Sequence, residues 1–346
     1  MHRGALAAGA FGAALVLSIG FFANRTATGD PYGRTPGGYV SQFAPGPRPF
    51  EIGWRPDEQL VALGERLFFD TRMSTTGRTA CASCHDPRYS FAEPRRVSLS
   101  DNGKPGRRNA PSLLDVGFRP NLMWDGKFRA LEQQMFGPFE SGEMGIGVEH
   151  AAQRLNADSR YVHQFREALG NWPTPAGMAR AISAFQRTLV SRESRVDRLL
   201  MSNDASGLTR LELDGYEIFT RKAPCSACHR PFPLQPDGRK YRRPLFSDFQ
   251  YHNIGVGGRY GEPDAGRYEL TRHQPDWGAF RTPSLRSSAK TPPYMHDGSF
   301  ATLEDVVEYY SAGGRPNPNL SPLIRPLHLD GYEKSALVAF IRAMGE

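Results

Sequence analysis

All four cysteines of this 346-residue chain fall in one five-residue pattern used twice, Cys81-Ala-Ser-Cys84-His85 and Cys225-Ser-Ala-Cys228-His229. Two thiols separated by two residues, with a histidine fixed directly behind them, form the attachment pattern of c-type haem. Each thiol adds across a vinyl group of the porphyrin, and the adjacent imidazole becomes the proximal ligand of the iron. A zinc site built from two CxxC pairs needs no histidine at that place, and a redox dithiol would not account for every cysteine twice over. Cys81, Cys84, His85, Cys225, Cys228 and His229 are therefore read as two covalent haem c sites, with His85 and His229 on the irons.

The N-terminus has a different character. His2 and Arg3 precede an apolar run over residues 5–22, and Asn24, Arg25 and Thr26 follow it. This pattern describes a secretory signal or an uncleaved membrane anchor, and either one exports the chain. Residues 1–28 are assigned to that segment, and the Gly-, Pro- and Tyr-rich residues 29–49 to a linker. The expected location is the periplasm, in contact with the membrane only where the leading segment is retained. The net charge of +7 is modest, with no lysine/arginine block and no basic stripe interleaved with aromatics. Nucleic acid is thereby excluded as a partner, while an acidic protein partner is compatible.

The two motifs have similar approaches. Leu60, Leu63 and Leu67 recur at helical spacing ahead of the first, and Gly215-Tyr-Glu-Ile-Phe219 stands ahead of the second. A helix leading into a haem loop, twice, points to a duplicated unit. Residues 178–200 carry Ile182, Phe185, Leu189 and Val196 at helix-like spacing, and residues 202–207 read as a domain boundary. Thr302 with Asp305 caps a helix whose Leu303, Val306, Val307 and Tyr310 share one face, and Gly313-Gly314 stops it. Asp330 with Glu333 opens a last helix carrying Leu337, Phe340, Ile341 and Met344. Strand character is confined to short pieces within residues 246–254. The expected fold is mainly α, with two cytochrome c-like haem domains in tandem over residues 50–203 and 204–346.

These residues resemble the bacterial di-haem cytochrome c peroxidase/MauG family. The resemblance runs from about residue 60 to residue 344. Besides both CxxCH motifs, it rests on Arg108-Asn-Ala-Pro-Ser112, Met123-Trp-Asp-Gly126, Pro283-Ser-Leu-Arg286 and Pro293-Tyr-Met-His-Asp-Gly298. It implies that the N-terminal haem reacts with hydrogen peroxide while the C-terminal haem accepts or stores electrons. The donor would be a small periplasmic protein, a cytochrome c or a cupredoxin. A calcium ion would sit between the domains.

Many family members close the first haem with a second histidine on the loop after the first CxxCH. Here no histidine occurs between His85 and His150, and no methionine between His85 and Met123. Tyr89 is the one candidate blocker on the near loop, and a surface or packing role suits it better. The first haem is therefore expected to be open. The resemblance puts Tyr310 on the iron of the second haem, with Met295 as the competing ligand, and helical phase separates Tyr310 from Tyr309. It puts the proton shuttle on Glu143, downstream of Gln134-Met-Phe-Gly-Pro138; the spacing is one residue short, so Glu140 is the fallback.

Trp124 takes the place of the family's tryptophan between the haems. The calcium ligands carried over are the Asn109 side chain and the carbonyls of Thr291 and Pro293, oxygen donors of the kind calcium prefers. Arg107, Arg108 and Arg286 are candidates to pair haem propionates, and His252 and His296 lie near the haems with a structural role favoured. The leading function is peroxide reduction. The alternative is MauG-like oxidation of tryptophans on a partner protein, but the surface tryptophan that MauG carries two residues before the second CxxCH is Ala223 here. A pure electron-transfer cytochrome would need both irons closed.

Overall fold

The computed structural model describes Met1 and residues 56–233, 243–257 and 263–345. The leading segment and linker read at residues 1–28 and 29–49 lie, Met1 apart, outside the described residues. Among the described residues, no helix is long and apolar enough to cross a membrane. The helices are α1 (Glu58–Phe69), α2 (Leu131–Gln134), α3 (Gly137–Glu140), α4 (Val148–Asn156), α5 (Ser159–Leu169), α6 (Pro175–Thr188), α7 (Arg195–Ser202), α8 (Arg210–Glu217), α9 (Cys225–Cys228), α10 (Tyr268–Thr271), α11 (Leu303–Ser311) and α12 (Gly331–Ala343). One short antiparallel pair joins β1 (Tyr251–His252) to β2 (Phe280–Arg281), with Tyr251 opposite Arg281. The fold is mainly helical, as the sequence led us to expect.

Each cysteine motif is approached by a helix that crosses a later helix at glycine. A Cβ on Gly64 of α1 would run into the carbonyl of Ala181 in α6, and one on Gly215 of α8 into the carbonyl of Ala336 in α12. Only glycine lets these backbones approach so closely. Two apolar clusters result. The first gathers Leu63, Leu67, Phe68, Leu131, Ile182 and Phe185, and the second Phe219, Val307, Leu337, Phe340 and Ile341. The capping boxes read at Thr302–Asp305 and Asp330–Glu333 both form.

The single helix expected over residues 178–200 is instead two. α6 ends at Thr188, and Leu189 O accepts from Asp115 N at 2.7 Å. Ser191 then bonds the Asp115 carboxylate through both its backbone N and its hydroxyl. Ser194 restarts the chain as α7 through a reciprocal capping box with Asp197. The tertiary bonds to Asp115 break the helix where its periodicity alone would have continued.

The folded chain also shows a longer repeat. Leu122-Met-Trp-Asp-Gly-Lys-Phe128 and Tyr294-Met-His-Asp-Gly-Ser-Phe300 make the same turn, each closed by an antiparallel bridge between its first and last residues. Met123 and Met295 both take positive φ, 66° and 72°. One constant offset in numbering relates Asn109 to Arg281, Trp124 to His296, Glu132 to Glu304 and Pro138 to Tyr310. The two copies exchange bonds across the middle of the molecule: Asn109 N donates to His296 O, and Arg281 N donates to Trp124 O, both at 2.7 Å. Reciprocal bonds between equivalent positions define a pseudo-two-fold axis between the copies.

Candidate active site

The histidines of the two motifs are held alike. His85 Nδ1 lies 3.1 Å from Phe91 O, and His229 Nδ1 lies 3.1 Å from Phe246 O. A carbonyl partner puts the proton on Nδ1 and leaves the Nε2 lone pair for a metal. Burial holds both imidazoles below their usual range, so they stay neutral, as an iron ligand must.

The four thiols are free of disulfides. Burial pushes Cys81 and Cys225 up to about 12 and Cys84 up to about 11, the reverse of the lowered pKa of a redox dithiol. Nor do the two pairs converge on a common zinc site. Among the described residues, the one cluster with metal-ligand spacing is Cys228, Asp248 and His252. That cluster would lose its thiolate once Cys228 became a thioether, and His252 Nε2 is held at 2.9 Å by Asp248.

One cavity ties the second motif to the pseudo-two-fold axis. Its wall includes Cys225, Cys228, His229 and Tyr310 on one side and Asn109, Trp124 and Arg119 on the other. It offers about 250 Å³, far above the ~10–15 Å³ that one water requires. A large, mostly apolar space ringed by two thiols, a histidine and unpaired polar atoms suits a haem. Leu303, Val306, Val307 and Tyr310, the face read from the sequence, all line it. The Tyr310 hydroxyl makes no hydrogen bond among the described residues, and burial pushes its phenol well above the usual range. Tyr309 is buried too, but its hydroxyl donates to Ile254 O at 2.8 Å. Met295 lines the same cavity as Tyr310.

Trp124 is buried at the axis, its indole Nε1 donating to Asn109 O at 2.8 Å. His296, its counterpart in the second copy, presents its ring 6.4 Å away, edge to face, and stacks on Phe280 at 3.6 Å. His296 Nε2 is buried without a partner, and burial holds the imidazole down at about 4. Asn109 anchors its amide nitrogen on the carbonyls of Glu93 and Arg95, which leaves Oδ1 as the atom it can offer a cation. Thr291 and Pro293 line the same cavity as Asn109, and their carbonyls accept no hydrogen bond among the described residues.

In the first half of the chain, Glu143 is half-buried and accepts from Ser141 Oγ at 2.6 Å. Its neighbour Met144 donates to Pro138 O at 3.1 Å, folding the Glu143 loop back onto Pro138. Glu140 is instead paired with Lys127 at 3.3 Å. Gln134 Nε2 lies 3.8 Å from Met123 Sδ. Tyr89 is exposed beside Arg88.

The arginine assignment needs correction. Arg108 is paired with Asp125 and Asp264, Arg107 with Asp264 and Glu269, and Arg286 with Asp197, so all three have carboxylate partners within the protein. Three guanidiniums line the cavity without an ion pair among the described residues: Arg325, which is exposed, and Arg119, buried at Nε, and Arg281, buried throughout, both of which sequence reasoning missed. Nothing local distinguishes them, because a guanidinium's partner is decided by tertiary proximity.

Taken together, the site defines a di-haem c-type cytochrome. A family model described as di-haem cytochrome c peroxidase matches residues 58–205. Cytochrome-c peroxidase IdrP1 of Denitromonas iodatirespirans is 35% identical over 305 residues, covering 82% of this chain and 81% of the relative. Methylamine utilization protein MauG of Methylorubrum extorquens is 33% identical, covering 82% and 77%. Among solved structures, a MauG-like protein associated with microbial copper homeostasis superposes with a TM-score of 0.73 at 33% identity, covering 91% of this chain and 96% of that one. The chain belongs to the di-haem cytochrome c peroxidase/MauG family.

Proposed function

We propose that the protein reduces hydrogen peroxide to water in the periplasm, taking two electrons from a small redox protein, with its first haem open without prior activation. The observation that carries this reading is Pro138. It stands at the repeat position that Tyr310 occupies in the second copy, and a proline side chain offers an iron no donor atom. When bound, the haems supply the iron that takes up peroxide and the electron store that feeds it.

The remaining work falls to side chains. Cleaving the peroxide bond needs a group that takes a proton from the near oxygen and returns it to the far one. Glu143 suits this better than Glu140, because it is half-buried, its carboxylate is bonded only to a hydroxyl among the described residues, and its loop folds back onto Pro138, whereas Glu140 is held by Lys127. Trp124, fixed by bonds to both copies, is an oxidisable ring whose rigid setting suits an electron relay. Tyr310 fits a ligand role at the second haem because its hydroxyl is unengaged where that of Tyr309 is not. Oδ1 of Asn109 and the carbonyls of Thr291 and Pro293 fit calcium, and metal analysis of the holoprotein with and without Asn109→Ala tests that set. Ala223 is fully buried two residues before Cys225 and offers no oxidisable ring to a protein substrate, which supports the small-donor reading over tryptophan oxidation.

The test is steady-state oxidation of a reduced small cytochrome or cupredoxin by peroxide. Turnover is expected, and Glu143→Gln should lower it by roughly 10²–10⁴-fold with both haems retained. Undiminished turnover in that variant would move the proton role elsewhere. Absence of donor oxidation by the wild type would end the peroxidase reading.

A further inference from the structure

Of the four arginines in the cavity wall, Arg286 is paired with Asp197 and Arg325 is exposed, which leaves Arg119 and Arg281 as charges withdrawn from solvent and in no ion pair among the described residues. Arg281 is 2% exposed; its Nε donates to Met123 O at 3.3 Å and its Nη1 to Thr282 O at 3.0 Å. Arg119 Nη2 donates to Ser112 O at 2.9 Å and Leu114 O at 2.7 Å, while its buried Nε has no partner. Every one of these bonds runs to a carbonyl dipole, and no carboxylate lies within ion-pair distance of either guanidinium among the described residues. Burial, then the neighbouring charge of Arg281, holds Arg119 down at about 9, and burial holds Arg281 at about 10. Both remain cationic at neutral pH. Asp115 acts on Arg119 and Asp125 on Arg281 only from beyond ion-pair contact, and two like charges lying this deep with no closer partner are unfavourable, so the site favours an added anion.

The repeat says what kind of place this is. The offset that relates Trp124 to His296 also relates Arg281 to Asn109 and Arg119 to Thr291. The pseudo-two-fold axis therefore carries two of the three proposed calcium donors onto the arginine pair. One side of the axis presents oxygen atoms to a metal ion, and the other presents two fixed guanidiniums.

We propose that Arg119 and Arg281 form a permanent cationic site for carboxylates of the second haem, standing where the axis would otherwise place a second metal ion. The second haem is chosen because both arginines line the cavity bounded by Cys225, Cys228, His229 and Tyr310. Guanidinium forks match carboxylates bidentately. Arg119 comes from the first copy of the repeat, so its bond fastens the second haem to the other half of the molecule. The inference rests on the haem reading above, and its relation to the metal site rests on the calcium reading.

The experiment uses the holoprotein and four variants, Arg119→Met, Arg281→Met, Arg119→Lys and Arg281→Lys. Covalent haem is counted first from the alkaline pyridine spectrum; fewer than two haems in the wild type refutes the haem reading itself. With two haems present, both Met variants should shift the propionate bending bands of the low-spin haem in resonance Raman spectra. They should also lower that haem's reduction potential, because losing a positive charge beside the porphyrin favours ferric iron. The Lys variants should keep the potential and still shift the bands. Unchanged bands and potential in both Met variants overturn the proposal. If the Met variants fail to retain haem, unchanged bands in both Lys variants overturn it equally.

Discussion

Replacing Arg286 with Met should loosen the junction between the two copies more than any surface change. Arg286 is 4% exposed and reaches Asp197 with two bonds of 2.6 and 2.8 Å, Ser191 Oγ at 2.6 Å and the carbonyl of Arg192 at 2.6 Å. Asp115, from the first half of the chain, lies 3.3 Å from the same guanidinium. Methionine fills much of the volume but leaves two buried carboxylates, each 2% exposed, with Arg243 as the remaining cation within ion-pair distance of Asp115 among the described residues. Breaking one side of a buried pair costs about 3–5 kcal/mol. With an unfolding entropy of ~2.1 cal/mol/K per residue, each kcal/mol is worth ~1.4 °C in a chain of this size, and the melting temperature should fall by roughly 4–7 °C. Thermal unfolding followed by far-ultraviolet circular dichroism measures this, and a cycle with Asp197→Asn isolates the pair. The control is Arg88→Met. Its bond to Asp86 has the same 2.6 Å length but its side chain is 83% exposed, and no measurable change is expected. If the two variants behave alike, burial is not what sets the strength of these pairs.

Gly215→Ala should force α8 and α12 apart, costing about 1–3 kcal/mol or more and lowering haem retention at the second motif; normal stability would show that the crossing relaxes. Tyr310→Phe should convert the second haem to a high-spin or water-ligated spectrum if the phenol is its ligand, whereas an unchanged low-spin spectrum would give that place to Met295. Asp264 supplies a pH dependence. Burial alone would raise its carboxyl, but the Arg108 guanidinium holds it down at about 2. A carboxylate lowered on folding stabilises the native state above its unfolded pKa of about 3.9. That contribution, about 2 kcal/mol, is lost as pH falls through the interval down to about 2. Denaturant titrations at stepped pH should show the loss in the wild type and a flatter profile in Asp264→Asn.

Local signals carried most of what could be read without coordinates. The capping boxes at Thr302 and Asp330 involve residues three apart, and the cysteine motifs need only five, so neither depends on distant chain. The break after Thr188 had a local marker as well, Ser194 followed by Asp197, but helical periodicity through Leu189 and Val196 masked it. What could not be read was partnership. Arg107, Arg108 and Arg286 look like Arg119 and Arg281 in one dimension, and folding alone brings carboxylates to the first three. The repeat is an intermediate case. Met123-Trp-Asp-Gly126 and Met295-His-Asp-Gly298 share only Met, Asp and Gly, and the exchanged bonds at Asn109 and Arg281 are what give their offset meaning.

That exchange has a consequence for how the two halves can diverge. A pair of bonds related by an axis is what a symmetric dimer leaves behind when its subunits are joined in one chain. Each half's turn is completed by the other's backbone, so neither depends on its own iron ligand to hold its shape. Backbone bonds also place no demand on side-chain identity. Trp124 and His296, or Pro138 and Tyr310, can therefore differ freely between copies while the frame stays symmetric. A chain built this way can leave one metal centre unguarded and close the other without refolding either.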